Sequence, residues 1–243
     1  MSLYRDEGVV LRTQNLGEAD RIITLLTRFN GLVRAVGKGV RRTKSRFGAR
    51  LEPFTHVELL VHTGRSLDVI TQADTVRSYG GPLAEHYPRY TAGVAMLETA
   101  QRITGVEKEP AQQQFLLLVG GLRTLGEGRR EPRMVLDAYL LRSLATAGYA
   151  PALDECAHCG ARGRHASFAI QAGGMVCAAC QSTGVTTPAP ETLDLMIALL
   201  TGDWTAAEAS AHRHRSECSG LVAAYLQWHL ENGIRSLRLV ERR

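Results

Sequence analysis

Long apolar runs are missing from this 243-residue chain. The longest, Phe115 to Leu122 with two glycines inside it, falls far short of the roughly 20 residues that span a bilayer, so no membrane segment is expected. A secretory leader is not expected either: Asp6 and Glu7 stand where its basic start would lie, and no hydrophobic stretch follows. Cysteine is scarce and odd in number, five in all, which argues against a disulfide framework. Internal repeats and low-complexity tracts are absent. With 44% hydrophobic and 22% charged residues, the composition excludes disordered, collagenous and coiled-coil classes. The length suits one large domain or two to three small ones. The expectation is a soluble, cytoplasmic, multidomain protein.

Signatures of catalysis are missing too. Gly37-Lys38-Gly39 lacks the frame of a nucleotide-binding P-loop. No G-x-G-x-x-G follows a strand pattern, and neither G-x-S-x-G nor H-E-x-x-H occurs. His212 and His214 flank Arg213, which puts them on different helix faces. They are expected to face solvent and not to share a metal. Asp20, Glu52 and Asp68 are scattered without the spacing of a metal-dependent nuclease. The chain is expected not to be an enzyme.

What is present is positive charge in one place. Residues 1–80 carry 13 Lys+Arg against 8 Asp+Glu, and the rest of the chain carries 16 against 16, so the whole net charge of +5 lies in the first third. Between residues 21 and 51 stand nine bases and no acid. A surface meant only for solubility mixes its signs. A concentration of one sign points to a polyanion, either nucleic acid or an anionic membrane surface.

The same region has the pattern of strands. Gly8–Gln14, Arg21–Arg28, Gly31–Gly37, Thr55–His62 and Ser66–Gln72 are short runs of Val, Ile, Leu and Thr bounded by turn residues. Asn30-Gly31 predicts a hairpin with a type I′ turn, which needs positive φ at both central residues. Five strands over residues 1–80 predict an all-β barrel of the OB type, with the basic segment 38–50 as its long connection. From Pro82 the period becomes helical, with stretches opened by Pro110, Pro132, Pro190 and Ser216 and stops at Gly148, Gly202 and Gly233. The expected architecture is thus mixed: the barrel, one helical domain built from 81–150 and 188–243, and an insertion at 151–187.

The insertion holds Cys156-Ala-His-Cys159, seventeen intervening residues, and then Cys177-Ala-Ala-Cys180. Two residues between thiolates let both sulfurs of a knuckle turn onto one tetrahedral ion at about 2.3 Å. Gly160 suits the tight turn after the first knuckle. A segment too short for its own core gains folding energy from the metal. One structural zinc held by Cys156, Cys159, Cys177 and Cys180 is predicted. Two disulfides are disfavoured by the compartment, and four cysteines leave no open position for a catalytic water. Cys218 is expected to be a small core or surface residue.

Lys and Arg neutralise phosphates and release their counterions, the main source of non-specific affinity for nucleic acid. Arg34, Lys38, Arg41, Arg42, Lys44, Arg46 and Arg50 are therefore the candidate DNA contacts. Phe47, between two of these bases, offers a base-stacking face unless it belongs to the core. Three lysines (Lys38, Lys44, Lys108) leave 26 of the 29 basic residues as arginine, so the arginines of this loop need not signal bidentate recognition. Without a recognition helix, little sequence preference is expected. Arg129, Arg130 and Arg133 are read as a solvated helix entrance more readily than as a site for an acidic tail.

The stretch from Asp20 to Phe54, including Gly37-Lys-Gly-Val-Arg-Arg-Thr-Lys-Ser-Arg-Phe-Gly-Ala-Arg50, resembles the N-terminal domain of the RecO family of bacterial recombination mediators. The resemblance extends over the barrel, the helical region, the cysteine knuckles and a closing Gly233-Ile-Arg-Ser-Leu237 segment. It implies a non-enzymatic role in DNA repair at the nucleoid: binding single- and double-stranded DNA, annealing complementary strands, contacting the C-terminal tail of single-stranded-DNA-binding protein (SSB), and helping RecR load RecA. An alternative from the residues alone is an RNA- or ribosome-associated zinc-knuckle OB protein.

Overall fold

In the computed structural model, which describes residues 2–230 and 234–240, five strands close into a barrel. They are β1 (Leu3–Leu16), β2 (Asp20–Thr27), β3 (Gly31–Gly37), β4 (Thr55–His62) and β5 (Asp68–Ser78), in the ring order β1-β2-β3-β5-β4. Every pairing is antiparallel except the short parallel contact of β3 with β5, which is the topology of an OB-fold. Alternate residues fill the interior, among them Ile23, Leu25, Val33, Ala35, Val57, Leu59, Val61 and Ile70, as the period of two requires. A bulge at Leu11 shifts the register between Val10 and Arg12, so that Val9, Val10 and Leu11 are all buried.

Three helices belong to the same compact unit, Met1–Arg129: α1 (Gly80–Ala84), α2 (Tyr87–Thr104) and α3 (Gln112–Glu127). Helix α2 packs on β1 and β3, and α3 on β1 and β2, which explains why outward residues such as Leu26 and Leu32 are buried as well. The second unit, Arg130–Arg243, holds α4 (Pro132–Thr146), a small hairpin of β6 (Ser167–Ala169) and β7 (Gly174–Val176), then α5 (Pro190–Thr201), α6 (Trp204–Ala209) and α7 (His212–His229). Helices α1 to α3 thus fall in the first unit and α4 to α7 in the second. Periodicity reveals that a helix has an apolar face, but not which neighbour covers it. Gly233, expected to stop the last helix, lies outside the described residues.

The β2–β3 turn also differs from expectation. Gly31 has φ +61°, but Asn30 is not among the positive-φ residues, so the turn is not type I′. Three residues, Arg28 to Asn30, join Thr27 to its partner Gly31. The side chain of Asp6 on β1 fixes them by accepting from the amides of Phe29 (3.2 Å) and Asn30 (3.1 Å) and from Asn30 Nδ2 (2.6 Å). Strand β1 runs beyond both expected ends, Gly8 and Gln14, and β5 runs past Gln72 to Ser78.

The seam of the ring is narrow. Only Ala35 and Val36 pair with Asp68 and Val69. The remaining edge of β3 is met by the α2–α3 connection, where Lys108 donates its amide to the Leu32 carbonyl at 2.9 Å. Gly31 faces this connection so closely that a Cβ would lie 1.8 Å from the Glu109 carbonyl oxygen. Buried Asp68 ties the seam by accepting from Lys108 Nζ (3.0 Å), Tyr4 Oη (2.9 Å) and the Gly64 amide (3.1 Å). Burial opposes its ionisation, but these three donors together hold its carboxyl below the usual range.

Candidate nucleic-acid interface and metal centre

The basic connection between β3 and β4 caps one end of the barrel. Val40, Phe47 and Leu51 point into the interior cluster, while Lys38, Arg41, Arg42, Lys44, Arg46 and Arg50 are exposed. Three apolar residues in a run of charges were the available sign that this loop is anchored and not free. The β1–β2 turn holds it from outside: the Gly39 amide donates to Asp20 Oδ1 (2.7 Å), the Arg41 amide to the Ala19 carbonyl (3.0 Å), and Arg41 Nη1 to the Gly17 carbonyl (3.1 Å). Gly37 is needed beneath it, since a Cβ there would stand 2.6 Å from Val40 Cγ2.

Phe47 is 2% exposed and belongs to the core cluster, the second of the two roles its position allowed, so it is removed from the candidate DNA contacts. Its ring is covered outside by the Arg46 guanidinium, 4.8 Å from the centroid. Arg46 in turn accepts through its carbonyl from Arg50 Nη1 at 2.8 Å. Among the described residues Lys38, Arg42, Lys44 and Arg46 have no carboxylate partner. Arg34 stands apart on β3, half-buried and paired with Glu107 at 3.3 Å. Beside the loop, Arg46, Arg50, Ser45, Thr55, Thr75 and Ser78 line an open groove of about 340 Å³. Cations and hydroxyls with no competing acid make a surface for phosphate groups.

In the second unit the four knuckle cysteines converge. Their sulfurs all lie within 4.8 Å of one another, and Cys159 Sγ stands 3.9 Å from Cys177 Sγ. A disulfide would need about 2.05 Å, whereas sulfurs at about 2.3 Å from a tetrahedral ion stand roughly 3.8 Å apart. Gly160, with φ +70°, closes the first knuckle by donating its amide to the Cys156 carbonyl at 2.8 Å. Cys180 closes the second onto Cys177 at 3.0 Å. The Cys177 amide points at Cys156 Sγ (3.4 Å), and with the amides of Cys159 and His158 it lowers that thiol to about 6. Hydrogen bonds from neighbouring thiols, with burial and the Cys156 charge, raise Cys180 to about 12. A divalent cation at the centre would hold all four sulfurs as thiolates. The donor set fits a closed metal site.

Two other expectations are corrected. His214 is buried, not exposed: its Nε2 accepts from Arg213 Nε (3.0 Å), and its Nδ1 faces Thr192 Oγ1 (3.3 Å). His212 is exposed as expected, and Cys218 is fully buried. Arg130 is not simply solvated, for it stacks 4.3 Å from the Trp204 ring centroid and pairs with Glu208.

Residues 1–79 match the family model described as recombination protein O N terminal, and residues 84–238 match recombination protein O C terminal. The chain is 72% identical to the DNA repair protein RecO of Thermobifida fusca over 242 residues, covering both proteins completely. Proteins of the same name from Streptomyces griseus and Nocardioides sp. are 58% and 59% identical over the full length of each. No described helix is long and apolar enough to cross a membrane.

Proposed function

The chain belongs to the RecO family, and on that premise we propose that it acts in DNA repair and recombination by binding DNA without catalysing a reaction on it. In this reading the barrel, residues 1–80, takes single- and double-stranded DNA on the loop bearing Lys38, Arg41, Arg42, Lys44, Arg46 and Arg50, with Arg34 at its margin. The observation that carries it is the set of exposed cations without carboxylate partners on a loop pinned from both sides. Such a loop presents charge in fixed positions at little ordering cost.

Phosphate contacts neutralise a strand while its base edges stay free, which is what annealing complementary strands requires. The family relationship supports the further steps of contacting the tail of SSB, meeting RecR and helping to load RecA, at the nucleoid in the cytoplasm. The metal is proposed to be one structural Zn²⁺, since four thiolates in a closed tetrahedron suit zinc and leave no site for substrate. Its chemistry is to hold the insertion folded.

The test is DNA binding across a salt series with Arg41, Arg42, Lys44 and Arg46 changed together to alanine. Each lost phosphate contact should make the log-affinity slope shallower by about 0.7 on single strands or about 0.9 on duplex. Annealing should slow in step, equally for unrelated sequences. A folded fourfold variant with the wild-type slope and annealing rate would defeat the proposal.

A further inference from the structure

With Phe47 buried, the basic loop has no stacking face of its own, yet α2, which follows β5 and α1 in the chain, carries two exposed rings. Tyr87 and Tyr90 are 57% and 41% exposed and lie three apart in the first turn of α2, hence on one face of the helix. Tyr90 is backed by Phe54, with ring centroids 5.6 Å apart and planes inclined by 54°.

Phe54 is a fixed support. It has φ +69°, a conformation that a bulky side chain adopts only where its surroundings enforce it. Its amide donates to the Val10 carbonyl and its carbonyl accepts from the Tyr79 amide, both at 3.1 Å. Its ring lies against Gly93, where a Cβ would come within 2.9 Å. The ring beneath Tyr90 has no room to yield.

The cationic groove begins one residue away. Thr55 follows Phe54 and pairs with Ser78, and both line the groove with Arg46 and Arg50. Tyr90 is thus joined to the groove through Phe54, on which its ring packs, and the adjoining Thr55–Ser78 pair that lines the groove with Arg46.

We infer that Tyr90, flanked by Tyr87, is a base-stacking platform for single-stranded nucleic acid whose phosphates lie along the Arg46–Arg50 groove. The inference rests on the phosphate-binding reading of the loop. Charge complementarity selects a polyanion over an apolar protein partner. A single strand is selected over duplex, because duplex bases are already stacked on each other. An aromatic face accepts any base, in keeping with binding of little sequence preference. A base stacked on Tyr90 also keeps its pairing edge open to a complementary strand.

The experiment uses the full chain and three labelled probes at several salt concentrations: an oligo-dT strand, an abasic strand of equal length, and a duplex. Tyr90→Leu keeps an apolar cover over Phe54 without an aromatic face. It should weaken oligo-dT binding about fivefold or more, while abasic and duplex affinities and all salt slopes stay at wild type. Equal affinity of Tyr90→Leu and wild type for oligo-dT would overturn the platform. The parent reading fails by a different result, an unchanged salt slope in the fourfold-alanine variant. Should Tyr90→Leu prove unstable, photocrosslinking of the wild-type protein to a strand carrying 5-iodouracil decides. An adduct on the tryptic peptide Tyr90–Arg102 or on Tyr87 upholds the inference, and adducts confined to other residues overturn it.

Discussion

Replacing Phe47 with alanine distinguishes a loop held by the core from one held by its ligand. The side chain is 2% exposed and packs among the interior residues with Val40 and Leu51. Emptying such a site costs about 3–5 kcal/mol in transfer and cavity terms. Loss of the exposed Arg46 cation–π contact adds about 0.5–1 kcal/mol. At about 2–4 °C per kcal/mol, the melting temperature of the barrel unit should fall by roughly 7 °C or more. The charged residues remain, and the loop stays tethered at Asp20 and Ala19, so the salt dependence of DNA binding should change little. Preference for oligo-dT over an abasic strand should not change at all. Thermal melting by circular dichroism and competition between the two strands measure both quantities. A variant that melts like wild type but loses its preference for the base-bearing strand would refute the assignment of Phe47 to the core.

The metal centre predicts one zinc per chain in freshly purified protein by elemental analysis. Cys156→Ser should lose that zinc and open residues 151–187 to protease, whereas Cys218→Ala, buried on α7 and outside the cluster, should keep full stoichiometry. His56 predicts a pH effect. Burial pushes its imidazolium pKa down in spite of Glu7 Oε1 at 2.7 Å from Nε2, so below about pH 6.5 the unfolded chain takes up a proton that the folded chain resists. Stability to urea should therefore fall between pH 7.5 and 5.5, and His56→Gln should remove part of that slope. Identical slopes in the two proteins would exclude His56 as a cause.

Features set by short-range rules were legible in the sequence. The cysteine spacing needed only the geometry of a turn, and the strands needed only alternation and glycine. Pro132, Pro190 and Gly202 stand at the ends of α4 and α5 as helix-terminus chemistry dictates. What escaped depended on distant partners. Asp6 replaces a standard turn by gripping residues 23 and 24 positions away. An aromatic between two arginines looked as suited to a nucleobase as to a core, and only the barrel interior decides for Phe47. His214 carries no sign in its neighbours that Thr192 will meet it. Nor does the sequence around Tyr90 show that its ring remains 41% exposed while packing on Phe54.

The narrow seam of the barrel has a consequence for synthesis. A nascent chain that has emerged through β5 possesses all five strands, but Gly31 to Val33 still present a bare edge, because the backbone that covers it comes from residues 107–109 on the far side of α2. An uncovered edge is a template for strand pairing with another chain, and neighbouring ribosomes on one message hold identical chains close together. At about 5–20 residues per second, this exposure lasts seconds, until the α2–α3 connection leaves the tunnel. Pausing after β5 would prolong it, and slow codons in that stretch should raise the aggregated fraction where the same codons placed after α3 would not.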